Sequence, residues 1–456
     1  WHEIHNRLFA PHAGAVAGEN STATRLTPPP EVDLPPDADG DIAPFPGAPT
    51  RASRYPDARP CTFEELKAMI KPFTELNADF HTVGETLGQD AVNRGLEKEL
   101  RCLADARTLA VVRIPDGTRK RGPGSPLPSF IDARLKQTND GQVCKCRFLP
   151  KGHRGVCLVG YTHRADELPS PVANATSQRL IDIIGVQRKV ATETSDLHAS
   201  FLNGPISKYK ITLVYAPAQM NLPPDHGFLL LGNCYGLPEA PQILYNKVKS
   251  FMETAGFTQS STDFCMFYRG SWDTQLAVIS WHVDDTKYLF DNEGEKTKFK
   301  TDMDAAFNLG VKHFGDLHGT TSLGNQYTRD GDSLIISNAR AAEAWLSDCD
   351  IGISATTVLP RSPLPVHPEP KPGTVGAAPL SDADIKMYEK RVGCLQYAAG
   401  TIHPLAQAAQ WLATARKSPT KHHLDLTKRA LKCLLRLARR GLRLKRHVAD
   451  NHPHFL

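Results

Sequence analysis

Several things are scarce in this sequence, and each scarcity excludes something. No apolar run approaches the roughly 18 residues that a membrane-spanning helix needs, so no transmembrane segment and no membrane partner is expected. No signal peptide is visible, and the 10 cysteines follow no dense, even spacing. The thiols therefore read as reduced and intracellular rather than as a disulfide framework. Cys144, Cys146, His153 and Cys157 lie close together, but without zinc-knuckle spacing and across a strand-like run, so they read as core or incidental residues. Large apolar residues are few over residues 1–58, where Pro28-Pro29-Pro30, Pro35-Pro36 and the closely spaced Pro44, Pro46 and Pro49 stand among Ala, Asp and Gly. That stretch reads as a disordered linker. Hydrophobic residues make up 40%, a little under a typical globular chain, and the 35 prolines account for part of the shortfall.

What is present is enough chain, 456 residues, for two or three domains with a sizeable buried core. The net charge of +5 and pI near 8.6 are mildly basic, weak support for a polyanionic partner. The first residue is Trp1 rather than Met, and the expectation is a fragment or a piece cut from something longer, which a polyprotein or an incomplete gene model would fit.

From Thr62 the pattern becomes globular. Phe63, Leu66, Met69 and Ile70 suit a helix with Thr62 at its N-cap, and Leu96, Leu100 and Leu103 line a second helix over 91–109. Pro115-Asp116-Gly117 predicts a turn. Asn139-Asp140-Gly141-Gln142, between strand-like runs over 129–135 and 143–149, predicts a hairpin. A helix is predicted over 176–187 and another over 239–255, with strands over 211–215, 264–268 and 276–283. The order points to an α+β fold, helices packed on a mostly antiparallel sheet. Pro360 to Pro379 forms a second linker, taken as residues 356–380. Ser381 caps a helix with Asp384 in its first turn, and further helices follow over 404–415 and 424–440. In the last, Leu424, Leu431, Leu434, Leu435 and Ala438 form an apolar stripe, while Lys428, Arg429, Lys432, Arg436, Arg439 and Arg440 crowd the other side. That charge is either the solvated face of a docked helix or a surface for a phosphate backbone, and the scarcity of acidic residues beside it favours the second.

Two segments carry chemistry. Asp284-Asp285 ends the apolar strand Leu276-Ala277-Val278-Ile279-Ser280-Trp281-His282-Val283. Adjacent carboxylates at a partly buried strand end call for divalent cations, and Mg²⁺ takes oxygen ligands of this kind together with substrate phosphates. The second segment is Asp196-Leu197-His198-Ala199-Ser200-Phe201-Leu202-Asn203-Gly204. Either alone is weak, since an Asp-Asp pair often occupies an ordinary exposed turn.

Their order and separation resemble the reverse transcriptase of copia-type long-terminal-repeat retrotransposons. The family's D-V-K-T-A-F-L-N-G keeps Asp196, Phe201, Leu202, Asn203 and Gly204 here, and its Y-V-D-D is His282-Val283-Asp284-Asp285. Its L-Y-G-L-K-Q-A-P-R-A-W-Y is similar to Cys234 through Tyr245, and its K-A-R-L-V-A-K-G to Lys145 through Gly152. Ser170-Pro171-Val172 with Ser177-Gln178-Arg179-Leu180, then Asp316-Leu317 and Leu323-Gly324, extend the likeness. Val392 through Ala398, and Ser418-Pro419-Thr420 with His423, Lys428 and Arg429, resemble the region leading to an RNase H domain. The resemblance spans residues 62–446.

The resemblance implies a right-hand polymerase: fingers, palm and thumb over 59–355, an antiparallel palm sheet flanked by helices, and a helical basic connection region over 381–456. It implies an RNA-directed DNA polymerase in which two Mg²⁺ or Mn²⁺ ions serve nucleotidyl transfer to a primer 3′-hydroxyl. Asp196, Asp284 and Asp285 would be catalytic and metal-binding, with the carbonyl of Leu197 a further ligand. Lys145, Arg147 and Lys151 would neutralise the triphosphate, unless they are ordinary exposed charge on a hairpin. Phe201 would lie under the sugar and exclude a 2′-hydroxyl, unless it is a core residue, and Glu239 would face the nucleotide. His282, Leu323, Gly324, Lys428, Arg429, Lys432 and Arg436 would meet primer and template. The implied partners are an RNA or DNA primer–template, deoxynucleoside triphosphates and other polyprotein segments (integrase, RNase H). A cytoplasmic location is expected, within virus-like particles, with nuclear entry of the complex.

The chain departs from the family pattern at chemically loaded positions. His282 replaces Tyr beside the primer end, Glu239 replaces a Gln that contacts the nucleotide, His198 and Ala199 replace Lys and Thr, and His403-Pro404-Leu405 stands for R-P-D. Past Arg446 only Asp450 remains, so no RNase H motif is read. A catalytically decayed or co-opted nucleic-acid-binding remnant is the alternative to an active polymerase.

Overall fold

Local chemistry starts several helices. Thr62 caps Phe63–Met69 in a reciprocal capping box with Glu65. Thr420 does the same with His423 at the head of Lys421–Arg440. Ser381 accepts from the Asp384 N–H at the start of Asp382–Ala399. The computed structural model describes residues 50–115, 126–138, 141–152, 170–206, 211–307, 309–354, 356–365, 380–400 and 402–446. The expectations at Asp116-Gly117, Asn139-Asp140, His153, Cys157, most of residues 1–58 and residues 366–379 lie outside these.

Most of the predicted elements are present with shifted ends. The predicted 91–109 helix runs Gln89–Asp105, because Arg107 takes a left-handed φ of 54° and Leu109 opens the strand Leu109–Arg113 instead. Phe264, predicted inside a strand, lies in the turn ahead of Met266–Arg269. The predicted 404–415 helix begins as a 3₁₀ turn, His403–Leu405, and continues as Ala406–Thr414. Among the elements the sequence reading missed are the helices Ala78–Leu87, Glu293–Ala306 and Ala339–Asp348 and the strands Glu193–Leu197, Asp285–Phe290 and Leu442–Lys445.

The described residues form a mixed helix-and-sheet structure in two compact units. One contains those up to Val172, with Leu197–Thr262 and Lys298–Lys312. Its core packs Val92, Leu96, Leu100 and Leu103 of the Gln89–Asp105 helix with Ile131, Ala133, Cys144, Cys146 and Phe148 of the Ser129–Thr138/Gly141–Pro150 hairpin. Gly95 allows the close approach: a Cβ there would stand 2.7 Å from the Cys144 carbonyl oxygen. A three-stranded antiparallel sheet orders Leu109–Arg113, His226–Leu230 and Leu213–Tyr215.

The other unit contains Ala173–Asp196, Asp263–Thr297 and the described residues from His313 onward. Its main strands lie in the order Val311–Asp316, Glu193–Leu197, Asp285–Phe290, Ala277–His282 and Met266–Arg269. The helix Ala175–Arg188 reaches this sheet through Gln178 and Asp182. Thr321–Ser322, Asn325–Asp330, Ser333–Ser337 and Leu442–Lys445 form a second, antiparallel sheet. The helices Ala339–Asp348, Asp382–Ala399, Ala406–Thr414 and Lys421–Arg440 bury a shared core that includes Leu346, Val392, Leu412, Leu431 and Leu434. No described helix is long and apolar enough to cross a membrane.

Candidate active site

The strand Ala277–His282 is buried throughout except at His282, as its apolar sequence requires. A two-residue loop, Val283-Asp284, then reverses the chain into Asp285–Phe290, with His282 paired to Asp285. Val283 adopts φ 57°, a left-handed conformation that a β-branched residue takes only under constraint. The Trp281 indole N–H donates to its carbonyl at 3.1 Å and holds the loop from below. On the other side Asp285 pairs with Asp196.

Directly opposed residues in antiparallel strands share a face, so Asp196, Asp285 and His282 form one row across three strands, with neighbouring Cβ atoms about 5 Å apart. Asp284 projects from the loop itself. All three carboxylates are half-buried and Leu197 is buried. Opposed carboxylates repel, and their all-oxygen donor chemistry suits a hard divalent cation that completes its shell with phosphates. Among the described residues, however, no three His, Cys, Asp or Glu side chains are already gathered around one ion position.

Beneath the row the hairpin is held by buried polar bonds. Lys287 Nζ donates to both Asp182 carboxylate oxygens at 3.1 and 3.0 Å and to the Tyr327 hydroxyl at 2.9 Å. Burial pulls the Lys287 ammonium down, but Asp182 and Tyr327 outweigh it and keep the amine above its ordinary range. Gln178 Nε2 donates to Ser280 Oγ at 2.6 Å. On the opposite face Ser195 Oγ bonds the Tyr288 hydroxyl at 3.0 Å and His313 Nδ1 at 2.8 Å. Neither Lys287 nor Asp182 was singled out from the sequence, because a lysine within a strand carries no motif.

The nucleotide-binding candidates fall in the other unit, where several of them meet. Phe201 and Tyr235 stack edge to face at 5.3 Å, and the Arg147 guanidinium lies 4.8 Å from the centre of the Tyr235 ring. Lys151 stands over Phe130 at 4.9 Å. The hairpin is tied to the Tyr235 turn by the Gly152 N–H, which donates to the Gly236 carbonyl at 3.1 Å. Gly236 has φ 84°, and a Cβ there would come within 2.2 Å of the Pro150 carbonyl oxygen, so the contact requires glycine. Lys247 Nζ donates to the Asn203 carbonyl at 2.8 Å, and the Asn233 N–H to the Gly204 carbonyl at 3.1 Å. Glu239 is buried at the N-cap of Ala240–Thr254. Three segments distant in sequence thus converge, and Tyr235 joins them. Sequence reasoning included Tyr235 only as part of a motif.

Leu323 and Gly324 form the loop between Thr321–Ser322 and Asn325–Asp330, at φ 47° and 75°. Of the basic C-terminal candidates, Lys428, Lys432 and Arg436 are half-buried and Arg429 is exposed. Arg436 spends a donor on the Leu359 carbonyl at 3.3 Å.

An antiparallel hairpin with paired carboxylates at its loop and a third aspartate on the neighbouring strand offers the oxygen donors that a hard divalent cation takes. The sequence match makes the class specific: the reverse transcriptase (RNA-dependent DNA polymerase) family model matches residues 109–362, and the chain belongs to that family. It is 23% identical to the retrovirus-related Pol polyprotein from transposon TNT 1-94 of Nicotiana tabacum, over 75% of this chain and 25% of that one. It is 26% identical to the Pol polyprotein from transposon RE1 of Arabidopsis thaliana, over 68% of this chain and 20% of that one. These relatives are copia-type, and the chain spans a quarter or less of their length. A foamy viral protease–reverse transcriptase, solved in complex with double-stranded DNA, matches at a TM-score of 0.35 and 12% identity over 72% of this chain and 45% of that one, too distant to argue from.

Proposed function

We propose that the chain is the RNA-directed DNA polymerase of a copia-type retrotransposon, adding deoxynucleotides to a primer 3′-hydroxyl. The observation that carries this reading is the register that opposes Asp196 to Asp285 with Asp284 in the intervening loop. Asp196, Asp284, Asp285 and the Leu197 carbonyl would hold two Mg²⁺ or Mn²⁺ ions. Bound there, the ions would activate the attacking oxygen and stabilise the leaving one.

The chain's own residues do the rest. Arg147, oriented by Tyr235, and the neighbouring Lys145 and Lys151 offer positive charge to a triphosphate. Phe201, braced by the same ring, presents an apolar edge that cannot hydrogen-bond a 2′-hydroxyl, which favours deoxynucleotides. His282 stands in the carboxylate row at the primer end, with Leu323-Gly324 as a second primer contact. Lys428, Arg429, Lys432 and Arg436 supply charge for the template backbone. In this reading the hairpin 129–150 belongs to the fingers, the carboxylate sheet to the palm and the following segments to the thumb and connection.

A second reading, a nucleic-acid-binding remnant, draws on the carboxylate Glu239 among the nucleotide candidates and on the absence, among the described residues, of a gathered three-ligand group. Primer extension decides. Purified chain with Mg²⁺ or Mn²⁺ is expected to extend a primer, and Asp284→Ala to lower the rate at least about a thousandfold. Equal traces for the two proteins would remove the polymerase reading and leave the binding one.

A further inference from the structure

Cys144 and Cys146 read from the sequence as core residues, and the hairpin does bury them, at 8% and 4% exposure. They stand two apart on Gly141–Pro150, so both side chains leave the same side of the strand. Their sulfurs lie 3.7 Å apart, in hydrogen-bond contact. Consecutive side chains on one side of a strand have Cα atoms about 6.7 Å apart. That is just inside the roughly 6.8 Å that a disulfide can span. Side-chain rotation and a slight shortening of the strand would therefore join the two sulfurs.

The surroundings select what can happen there. The hairpin is a two-stranded sheet with no third strand to hold it flat, so the strand can pucker. Ala133 stands across from Cys146, and Leu135 across from Cys144. On the remaining side the Gln89–Asp105 helix presses in: a Cβ added to Gly95 would come within 3.1 Å of the Cys144 sulfur. That packing leaves little room for a bulky adduct or for a metal ion with further ligands, whereas a disulfide removes two hydrogens and adds nothing. The two thiols are also unequal. Cys146 donates its S–H to Cys144, which holds the Cys144 thiol below its ordinary range against the opposing effect of burial. The same bond, together with burial, pushes Cys146 up. Cys144, the more exposed of the two, is thus the nucleophile and Cys146 the resolving thiol.

We infer that Cys144 and Cys146 form a modification site, a dithiol that a peroxide closes to a disulfide, and that closure loosens the hairpin's hold on a triphosphate. The Cys144 sulfur attacks one peroxide oxygen: an S–O bond forms, the O–O bond breaks, and the leaving hydroxide takes the proton released from Cys144 to become water. Cys146 then attacks the sulfur of the resulting sulfenic acid: the S–S bond forms, the S–O bond breaks, and the oxygen departs as a second water with the Cys146 proton. Two thiols are oxidised by two electrons, and one peroxide is reduced to two waters. Lys145 lies between the two cysteines, on the opposite side of the strand, and Arg147 follows. Shortening the strand turns Lys145 and draws Arg147 off the Tyr235 ring, whose centre it now faces at 4.8 Å. The effect on a triphosphate rests on the polymerase reading; the disulfide does not.

The test begins with the full chain, reduced, treated with an equal amount of hydrogen peroxide, digested and mapped by mass. The expected product is the Cys144–Cys146 segment lighter by two hydrogens, formed before any other thiol changes and restored by dithiothreitol. Titration with a fluorescent deoxynucleoside triphosphate reads the consequence: closure is expected to weaken binding about fivefold, and dithiothreitol to reverse the loss. Cys144→Ala, which has no disulfide to form, is expected to keep its affinity through the peroxide treatment. Should that variant fail to fold, oxidised against reduced wild type carries the same comparison. Both thiols left free, or a sulfinic acid in place of the disulfide, overturns the site. A disulfide with unchanged triphosphate affinity overturns the coupling. Reduced chain that binds no triphosphate overturns the polymerase reading and the coupling with it, while the mass still decides the disulfide.

Discussion

At Glu99 a carboxylate lies inside the first unit, its Oε1 accepting the Phe148 N–H at 2.8 Å. Burial pushes its carboxyl up to about 7, against the pull of that bond and of Arg147 and Lys145. The folded chain therefore keeps this proton at a pH where the unfolded chain, with a carboxyl near 4.5, has lost it. Stability falls as pH rises through that window and levels off above it. Glu99→Gln keeps an acceptor for Phe148 without the ionisation. It is expected to match wild type at the acidic end and to exceed it by about 1–3 kcal/mol near pH 8, seen by thermal unfolding across the range. Glu239, by contrast, is buried at the N-cap of Ala240–Thr254 and its side chain makes no capping hydrogen bond to that helix. At this scale the three aspartates were legible from the sequence. Tyr235 and Lys287 were not, because their roles come from partners far along the chain: Arg147 for the first, Asp182 for the second.

Among the elements, the carboxylate hairpin depends on a charge pair within its own support. Lys287 and Asp182 are 3% and 1% exposed, so neither ion can be recovered by water if its partner is removed. Lys287→Met or Asp182→Leu alone is expected to cost about 3–5 kcal/mol, while the double variant returns close to wild type, since a buried pair offsets its own desolvation only slightly. A double-mutant cycle by urea denaturation measures this, and two single costs that simply add would contradict it. The first strand of the hairpin was predicted, because an uninterrupted apolar run signals a buried strand. The returning strand Asp285–Phe290 and the loop were not, since nothing in Val283-Asp284 resembles the Asn-Gly usually placed in a two-residue turn.

Across the whole chain, each compact unit is assembled from segments separated in sequence. The family match ends at residue 362, yet Ser333–Ser337 takes its outer partner from Leu442–Lys445, and Ala342 and Leu346 are buried against helices beyond that limit. A chain cut after residue 362 would expose that strand edge and that apolar face together. Aggregation or rapid limited proteolysis of the cut chain is expected; a soluble, cooperatively unfolding product would refute it.

The sequence by itself determined what depends on near neighbours. The capped starts at Thr62 and Ser381, the periodicity of the helices, the buried strand before Asp284-Asp285 and the ordered motifs that mark the family are all properties of contiguous residues. Only the tertiary structure decided that Asp285 stands opposite Asp196 while Asp284 takes the loop, that Tyr235 joins Arg147 to Phe201, and that Lys287 pairs with Asp182. Those outcomes depend on strand register and on contacts between residues tens of positions apart, and local propensity carries no term for either.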